Sequence, residues 1–181
     1  MYDPEKLTEG VLFPIDLLIG VIAFCNPISE RVRSSVFGHL EKDAVTELSR
    51  LHILDVTPKN TESYFISRAL KLLKQDYPKY KAVITFADST EGHTGVVYKA
   101  TNAYFLGTTA NGVSYYDKAN RLRTARQNSV NCKEDDLKRL GWKKTIRQVK
   151  HRYLYLLGNK REKKVSMKKC LYELGARNDA G

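Results

Sequence analysis

The sequence has no apolar run long enough to cross a bilayer. Its richest early stretch, Leu17 to Phe24, is eight residues, where a spanning helix needs about 20. Cysteine is scarce: Cys25, Cys132 and Cys170 are widely spaced and odd in number, which fits reduced thiols rather than a disulfide framework or a zinc site. Neither Gly-x-Gly-x-x-Gly nor Gly-x-x-x-x-Gly-Lys-Ser/Thr occurs, so dinucleotide and P-loop chemistries have no motif to rest on. Met1 is followed by Tyr2-Asp3-Pro4-Glu5, without the basic start and apolar core of a secretory signal, and a cytoplasmic, membrane-free location is expected. Acid is the other deficit. Against 20 Asp and Glu stand 31 Lys and Arg, a formal net charge of +11 and a pI near 9.5, a balance that points to a polyanionic partner.

What is present suits a folded domain. The chain has 181 residues, 42% of them apolar, enough for one proper core. The basic excess is late: Lys118, Arg121, Arg123 and Arg126, then Lys138 to Arg152, then Lys160 to Lys164 and Lys168-Lys169. Trp142, Tyr153 and Tyr155 interleave the middle block, as expected where phosphates and bases are contacted. We expect a single domain over residues 1–157, with nucleic acid as the partner of Lys138 to Tyr155. Residues 158–181 read as a solvated or partly disordered basic tail.

The most informative stretch is KAVITFADSTEGHTGVVYKATNAYFLG, Lys81 to Gly107. Ala82 to Ala87 is a short β-branched apolar run, as in a strand buried on both faces of an α/β sheet. It ends on Asp88. Ser89-Thr90-Glu91 offers helix-start chemistry, Gly95 to Ala100 reads helical, and Tyr104 to Gly107 returns as a strand. The polar residues of this βαβ-type unit gather at one end, where ligands bind in open α/β sheets. Singly, each has an ordinary structural reading: Asp88 as a helix cap, His93 as a solvated turn residue, Tyr98 as a core aromatic. Their concentration in one window is what favours a site.

Elsewhere, Leu17 to Phe24 reads as a strand closed by Cys25-Asn26-Pro27, and Ser29 to Leu40 as a short helix or loop. Val45 to Leu54 alternates, with Val45, Glu47, Ser49, Leu51 and Ile53 on one face and Thr46, Leu48, Arg50, His52 and Leu54 on the other. A charged Arg50 in such a strand needs either an ion partner or an anion in a cleft. Pro58 to Ser63 leads into a helix whose apolar face is Tyr64, Phe65, Ala69, Leu70, Leu72 and Leu73, ending at Tyr77-Pro78. A loop feeding a helix N-terminus suits an anionic ligand. Val113 to Tyr116 reads as a strand, Glu134 to Leu140 as a short helix stopped by Gly141, and Lys150 to Leu157 as a last strand.

Together these elements resemble the core of the GNAT acyltransferase superfamily, an α/β fold with a mixed central sheet flanked by helices. Within it they resemble the phage Mom-type DNA-modification family more closely. The resemblance is carried by Leu48-Ser49-Arg50-Leu51, by Asn60 and Ser63, by Ala87-Asp88 with Glu91 to Ala100, and by Lys150-His151-Arg152-Tyr153. It spans roughly residues 20–157. Such proteins convert the N6 amine of adenine in phage DNA to a carbamoylmethyl derivative that blocks restriction, which implies double-stranded DNA as partner and the host cytoplasm as location.

The resemblance gives residues their expected roles. Asp88 or His93 handles the proton of the amine, a poor nucleophile because its lone pair is delocalised. Tyr98 protonates a leaving group or binds a carbonyl oxygen, with Ser63 also in the catalytic set. Arg50, Ser49, Asn60, Thr94 and Gly95 hold the donor, and Lys143, Lys144, Arg147, Lys150, His151, Arg152 and Tyr153 hold DNA. The Gly-rich pyrophosphate loop of such acyltransferases is replaced here by Pro58 to Ser63, so acyl-CoA and aminoacyl-tRNA both stay open as donors. An iron-assisted route has only His93 and Asp88 as candidate ligands, too few to assign a metal site. The segment before Thr46 is short for the N-terminal elements of a complete acyltransferase domain, and homo-oligomerisation is left open. Two other readings stand beside this one: an N-acyltransferase for a small amine or protein, and a non-catalytic basic DNA-binding protein on the same fold.

Overall fold

The computed structural model describes residues 18–27, 29–89, 92–123, 134–147 and 149–172, without the Arg147 side chain. In chain order the strands are β1 (Gly20–Cys25), β2 (Val45–Ile53), β3 (Ala82–Asp88), β4 (Tyr104–Thr108), β5 (Gly112–Tyr116), β6 (Leu122–Arg123), β7 (Lys143–Arg147) and β8 (Lys150–Leu156). The helices are α1 (Glu30–Phe37), α2 (Thr61–Asp76), α3 (Val96–Ala100), α4 (Glu134–Arg139) and α5 (Lys160–Lys169). No helix among the described residues is long and apolar enough to cross a membrane.

A mixed five-stranded sheet in the order β1-β2-β3-β8-β4 forms the body, with β2 and β3 parallel and the other neighbours antiparallel. The continuous apolar run of β3 has a direct reason, since both of its faces are covered. Ala82 and Ile84 pack with Val36 and Phe37 of α1 and with Leu154 and Leu156 of β8. Val83 packs on the other side with Leu48, Tyr155 and the α2 residues Ile66 and Leu73, with Val97 and Tyr98 of α3 alongside. Each such buried aliphatic contributes about 1.5–3 kcal/mol.

Several details depart from the pattern read in the sequence. The buried stripe of α2 is Ile66, Ala69 and Leu73, spaced by three and four, whereas Tyr64 and Leu72 of the expected apolar face are exposed. Chain order is not sheet order either: β4 runs parallel to β3 but does not pair with it, because β8 inserts between them. The stretch from Gly158 through residue 172 is a docked helix and turn. A capping box opens α5, with the Asn159 side chain accepting from the Glu162 N–H at 3.0 Å and the Glu162 carboxylate accepting from the Asn159 N–H at 2.7 Å. Beyond α5, the Leu171 N–H donates to the Val36 carbonyl at 2.9 Å.

Alternation along β2 is broken by a bulge. Ala23 pairs with Arg50 but Phe24 pairs with Leu48, so Ser49 is the extra residue. Leu48 and Leu51, three apart, therefore share one core cluster, which strict alternation forbids. β2 and β3 also stay paired only from Val45–Leu48 against Ala82–Thr85. Beyond that point the sheet opens into a notch, and the freed Leu48 carbonyl is satisfied by the Thr85 hydroxyl at 3.1 Å.

Between β4 and β8 the chain leaves the body as an arm, a second antiparallel sheet in the order β6-β5-β7 carrying α4. Neither β6 nor β7 was foreseen. Asp117 organises the hairpin between β5 and β6, its carboxylate accepting from the Ala119 and Arg121 N–H groups at 2.9 Å each and from the Arg121 and Arg123 guanidinium groups. A clasp closes the arm's root: the Thr109 N–H donates to the Lys150 carbonyl, and the Lys150 N–H to the Thr109 hydroxyl, both at 2.9 Å.

Candidate active site

The parallel strands β2 and β3 place their C-terminal ends on one side of the sheet, and the expected catalytic residues lie there. Asp88 ends β3 and is bonded by the Lys150 ammonium at 2.6 Å. The chain then turns sharply, the His93 N–H donating to the Asp88 carbonyl at 3.2 Å, with Gly92 and Gly95 both in the left-handed region. The Ser89 hydroxyl does not cap α3. It donates to the Val149 carbonyl, tying the turn to the start of β8. Thr90 and Glu91 lie outside the described residues. α3 starts instead at Gly95, φ +76°, without a side-chain cap.

Gly95 is demanded by contact as well as by φ. A Cβ there would sit 2.6 Å from Cζ of Tyr153, inside the ring's van der Waals surface. Tyr153 is 0% exposed and its hydroxyl donates to the Thr94 carbonyl at 2.6 Å. Its ring lies 5.4 Å from both Tyr98 and Phe105, at tilted angles suited to aromatic packing. Burial, with Tyr98 beside it, raises the Tyr153 phenol above the usual tyrosine range. The ring is thus a floor on which the His93-Thr94-Gly95 turn rests.

The same packing shows where β8 places the residues expected to contact DNA. As a strand with neighbours on both sides, β8 turns its side chains into two packed layers. Tyr153 is core. Arg152 points into the other layer, donating to the Tyr172 hydroxyl at 3.1 Å and to the Leu106 and Thr108 carbonyls at 3.5 and 3.4 Å around the β4 bulge. Its Nε is buried without a partner among the described residues. His151 is half-buried against Phe105, centroids 6.0 Å apart, and Lys150 is spent on Asp88. Lys143 and Lys144 remain exposed on the arm, Lys144 with Glu134 at 3.0 Å.

Among the expected donor-holding residues, Arg50 is exposed and donates to its neighbour's carbonyl, Ser49, at 2.8 Å. The Ser49 hydroxyl donates across the bulge to the Ala23 carbonyl at 3.2 Å. Asn60 opens α2 in the left-handed conformation, φ 69°, and Thr61 donates to the Pro58 carbonyl at 2.7 Å. Ser63 is half-buried one turn into α2. A cavity of about 220 Å³ lies against this loop, lined by Ile53, Asp55, Pro58, Asn60 and their neighbours. Another cavity, about 510 Å³, lies at the other end of the sheet beside Thr101, Tyr155 and Asn159, and none of the expected site residues lines it.

The sequence reading missed Glu47. Half-buried on β2, its carboxyl is raised by burial, opposed by the charges of Lys150 and Arg50. Lys150 therefore acts on two carboxylates, Asp88 by direct bond and Glu47 through space. The signal was a charge in mid-strand, the same one that singled out Arg50. Among the described residues no three His, Cys, Asp or Glu side chains gather as a metal set.

Comparison with known proteins places this geometry. The model of the Mom protein family matches residues 5–173. The chain belongs to the Mom family. A curated Mom relative, methylcarbamoylase mom of Escherichia phage Mu, is 35% identical over 91 residues, which covers 50% of this chain and 38% of that protein. The Mom-family match takes in the Asp88–Tyr98 element and the arm.

Proposed function

We propose that this protein modifies DNA, attaching a carbamoylmethyl-type group to the N6 amine of adenine. The observation that carries the reading is Mom-family membership coinciding with an acid–lysine pair at a strand mouth, Asp88 and Lys150 at 2.6 Å, beside a rigid glycine turn. The relative's name, methylcarbamoylase, supports the group transferred. The parallel β2–β3 pair that opens into a notch, and β8 inserted between β3 and β4, support an acyltransferase-like ancestry.

In this reading the N6 nitrogen forms a bond to the carbon of the incoming group, and one of its two protons passes to the Asp88 carboxylate or to His93. The donor's leaving group departs with the bonding pair and takes a proton from Tyr98. Lys150 keeps the Asp88 carboxylate oriented. Arg50, Ser63 and the Asn60 turn line the donor side of the notch. Lys143 and Lys144 on the arm hold phosphates, where each neutralised phosphate makes affinity fall with salt.

The test is chemical. The full chain is expressed in bacteria, and their DNA is digested to nucleosides and weighed by mass spectrometry. A new deoxyadenosine species, absent with empty vector, is expected, and its mass names the group. Asp88→Asn, His93→Ala and Tyr98→Phe are each expected to lower its yield by about 100-fold or more, the scale of lost proton transfer. Unmodified DNA from cells holding folded protein would overturn the proposal, and tight CoA binding by that protein would then favour the small-amine acyltransferase.

A further inference from the structure

The arm exposes apolar surface that none of the described residues covers. Val113 of β5 and Ile146 of β7 are directly opposed across the ladder, hence on one face, and are 47% and 70% exposed. Apolar cross-strand pairs stabilise a sheet by being covered. This one is not.

Its surroundings say what it meets. Residues 109–149 hold ten Lys and Arg against four Asp and Glu, more than half of the chain's excess of +11. Lys144, two residues before Ile146, shares its face by strand alternation, and Lys143 is exposed beside it. Among the described residues β6 pairs only with Tyr115 and Tyr116, so at Val113 and Ile146 the arm is two strands wide. An aliphatic pair set in such a basic ribbon is matched to a polyanion with an apolar interior, which describes duplex DNA and its base stack. A ribbon of this width enters a groove, and apolar wedges between base steps are a recurrent way of unstacking them.

Position completes the case. The clasp between Thr109 and Lys150 roots the arm on the residue that bonds Asp88. Val113 is four residues beyond Thr109, so it lies within about 14 Å of the clasp even if the chain is fully extended. A wedge at that distance opens the stack beside the carboxylate, where an N6 amine must arrive.

We propose that Val113 and Ile146 form an unstacking wedge that enters duplex DNA and frees the target adenine for the Asp88 site. This rests on the adenine-modification reading. The pair touches no reacting atom, so its role is positioning the base.

The experiment uses purified full-length protein and duplexes carrying 2-aminopurine, an adenine analogue whose fluorescence rises on unstacking, in every nearest-neighbour context. Wild type is expected to raise the signal several-fold in at least one context. V113S/I146S is expected to bind the same duplexes with a dissociation constant within about fivefold and an unchanged salt slope, yet to give no rise. The apolar replacement I146L restores it. If Trp142 emission shows that the double variant disturbs the arm, I146S alone serves, since that side chain is mostly solvated already. A full rise with the serine variants, or tight binding by wild type with no rise, overturns the wedge. So does a concentration-dependent dimer lost in the variant with fluorescence unchanged, which would assign the pair to a second copy. The two readings fail separately: a 2-aminopurine rise without modified deoxyadenosine in cells removes the reaction and keeps the wedge, and modification without a rise does the reverse.

Discussion

The five-stranded body and the three-stranded arm use β-structure for opposite ends. In the body, β3 buries Ala82, Val83, Ile84 and Thr85 in succession, and even the polar groups of its neighbours are turned inward, Tyr153 onto Thr94 and Arg152 onto the β4 bulge. In the arm, β6 is two residues long, Val113 and Ile146 face solvent, and one carboxylate, Asp117, gathers a hairpin around itself. A sheet covered on both sides fixes atoms to fractions of an ångström, which a proton-handling site requires. A sheet left uncovered keeps its surface for a partner.

The contrast is broken most severely at Gly95. Gly95→Ala would drive a Cβ into the buried Tyr153 ring at a positive φ, and a loss of about 3 kcal/mol is expected, with modification abolished because the His93 turn must move. For a chain of this length that lowers the melting temperature by roughly 6–12 °C. Gly38 is the contrast. At φ +82° and ψ 176° its backbone lies in a region kept for glycine, but nothing lies within 4 Å of a Cβ there, so Gly38→Ala carries backbone strain alone, about 1–3 kcal/mol, and leaves the His93 turn in place. Modification lost equally at the two positions would refute the idea that Tyr153 props the turn. Tyr153→Phe is the milder cut. It keeps the ring and removes one hydrogen bond to Thr94, worth about 1 kcal/mol, so activity is expected to fall more than stability.

The parts that the sequence disclosed are those whose side chains all obey one rule. β3 is apolar throughout, α3 follows a glycine turn, and β8 ends in Tyr153-Leu154-Tyr155-Leu156-Leu157. What stayed hidden needed a second segment to decide it. The Ser49 bulge depends on how β1 pairs, and the burial of Tyr153 depends on β4 and β3 flanking β8. β7 reads as a basic run, Lys143-Lys144-Thr145-Ile146-Arg147, and becomes a strand only because β5 offers it a ladder. α5 is ten residues of mostly Lys and Arg, yet Asn159 with Glu162 three positions later was a legible capping box. At the site, Asp88 and His93 could be found from local pattern. Lys150 lies 62 residues after Asp88 and joins it only through antiparallel pairing.

Acid separates body and arm most gently. Burial raises the Glu47 carboxyl above its ordinary 4.5, so the folded body takes up that proton before the unfolded chain does, and acidification through the raised pKa favours folding. Asp117 behaves in the opposite sense. The Arg121 N–H, then the Arg123 and Arg121 guanidinium groups, lower its carboxyl from 3.8 to about 2. Its contribution is therefore whole above about pH 4 and is lost as pH falls toward 2. Trp142, the chain's single tryptophan, packs against Tyr115 with centroids 6.4 Å apart and so reports the arm. Its emission is expected to shift between pH 4 and 2, with no matching event at higher pH. Asp117→Asn keeps an acceptor oxygen for the turn but no charge, so the step should shrink to the part owed to Glu134, whose carboxyl is held below 4.5 by Lys144. Adding Glu134→Gln should remove it. A step of unchanged size in both variants would mean that the arm's order is inherited from the body across the Thr109–Lys150 clasp, and the two sheets would then be one cooperative unit.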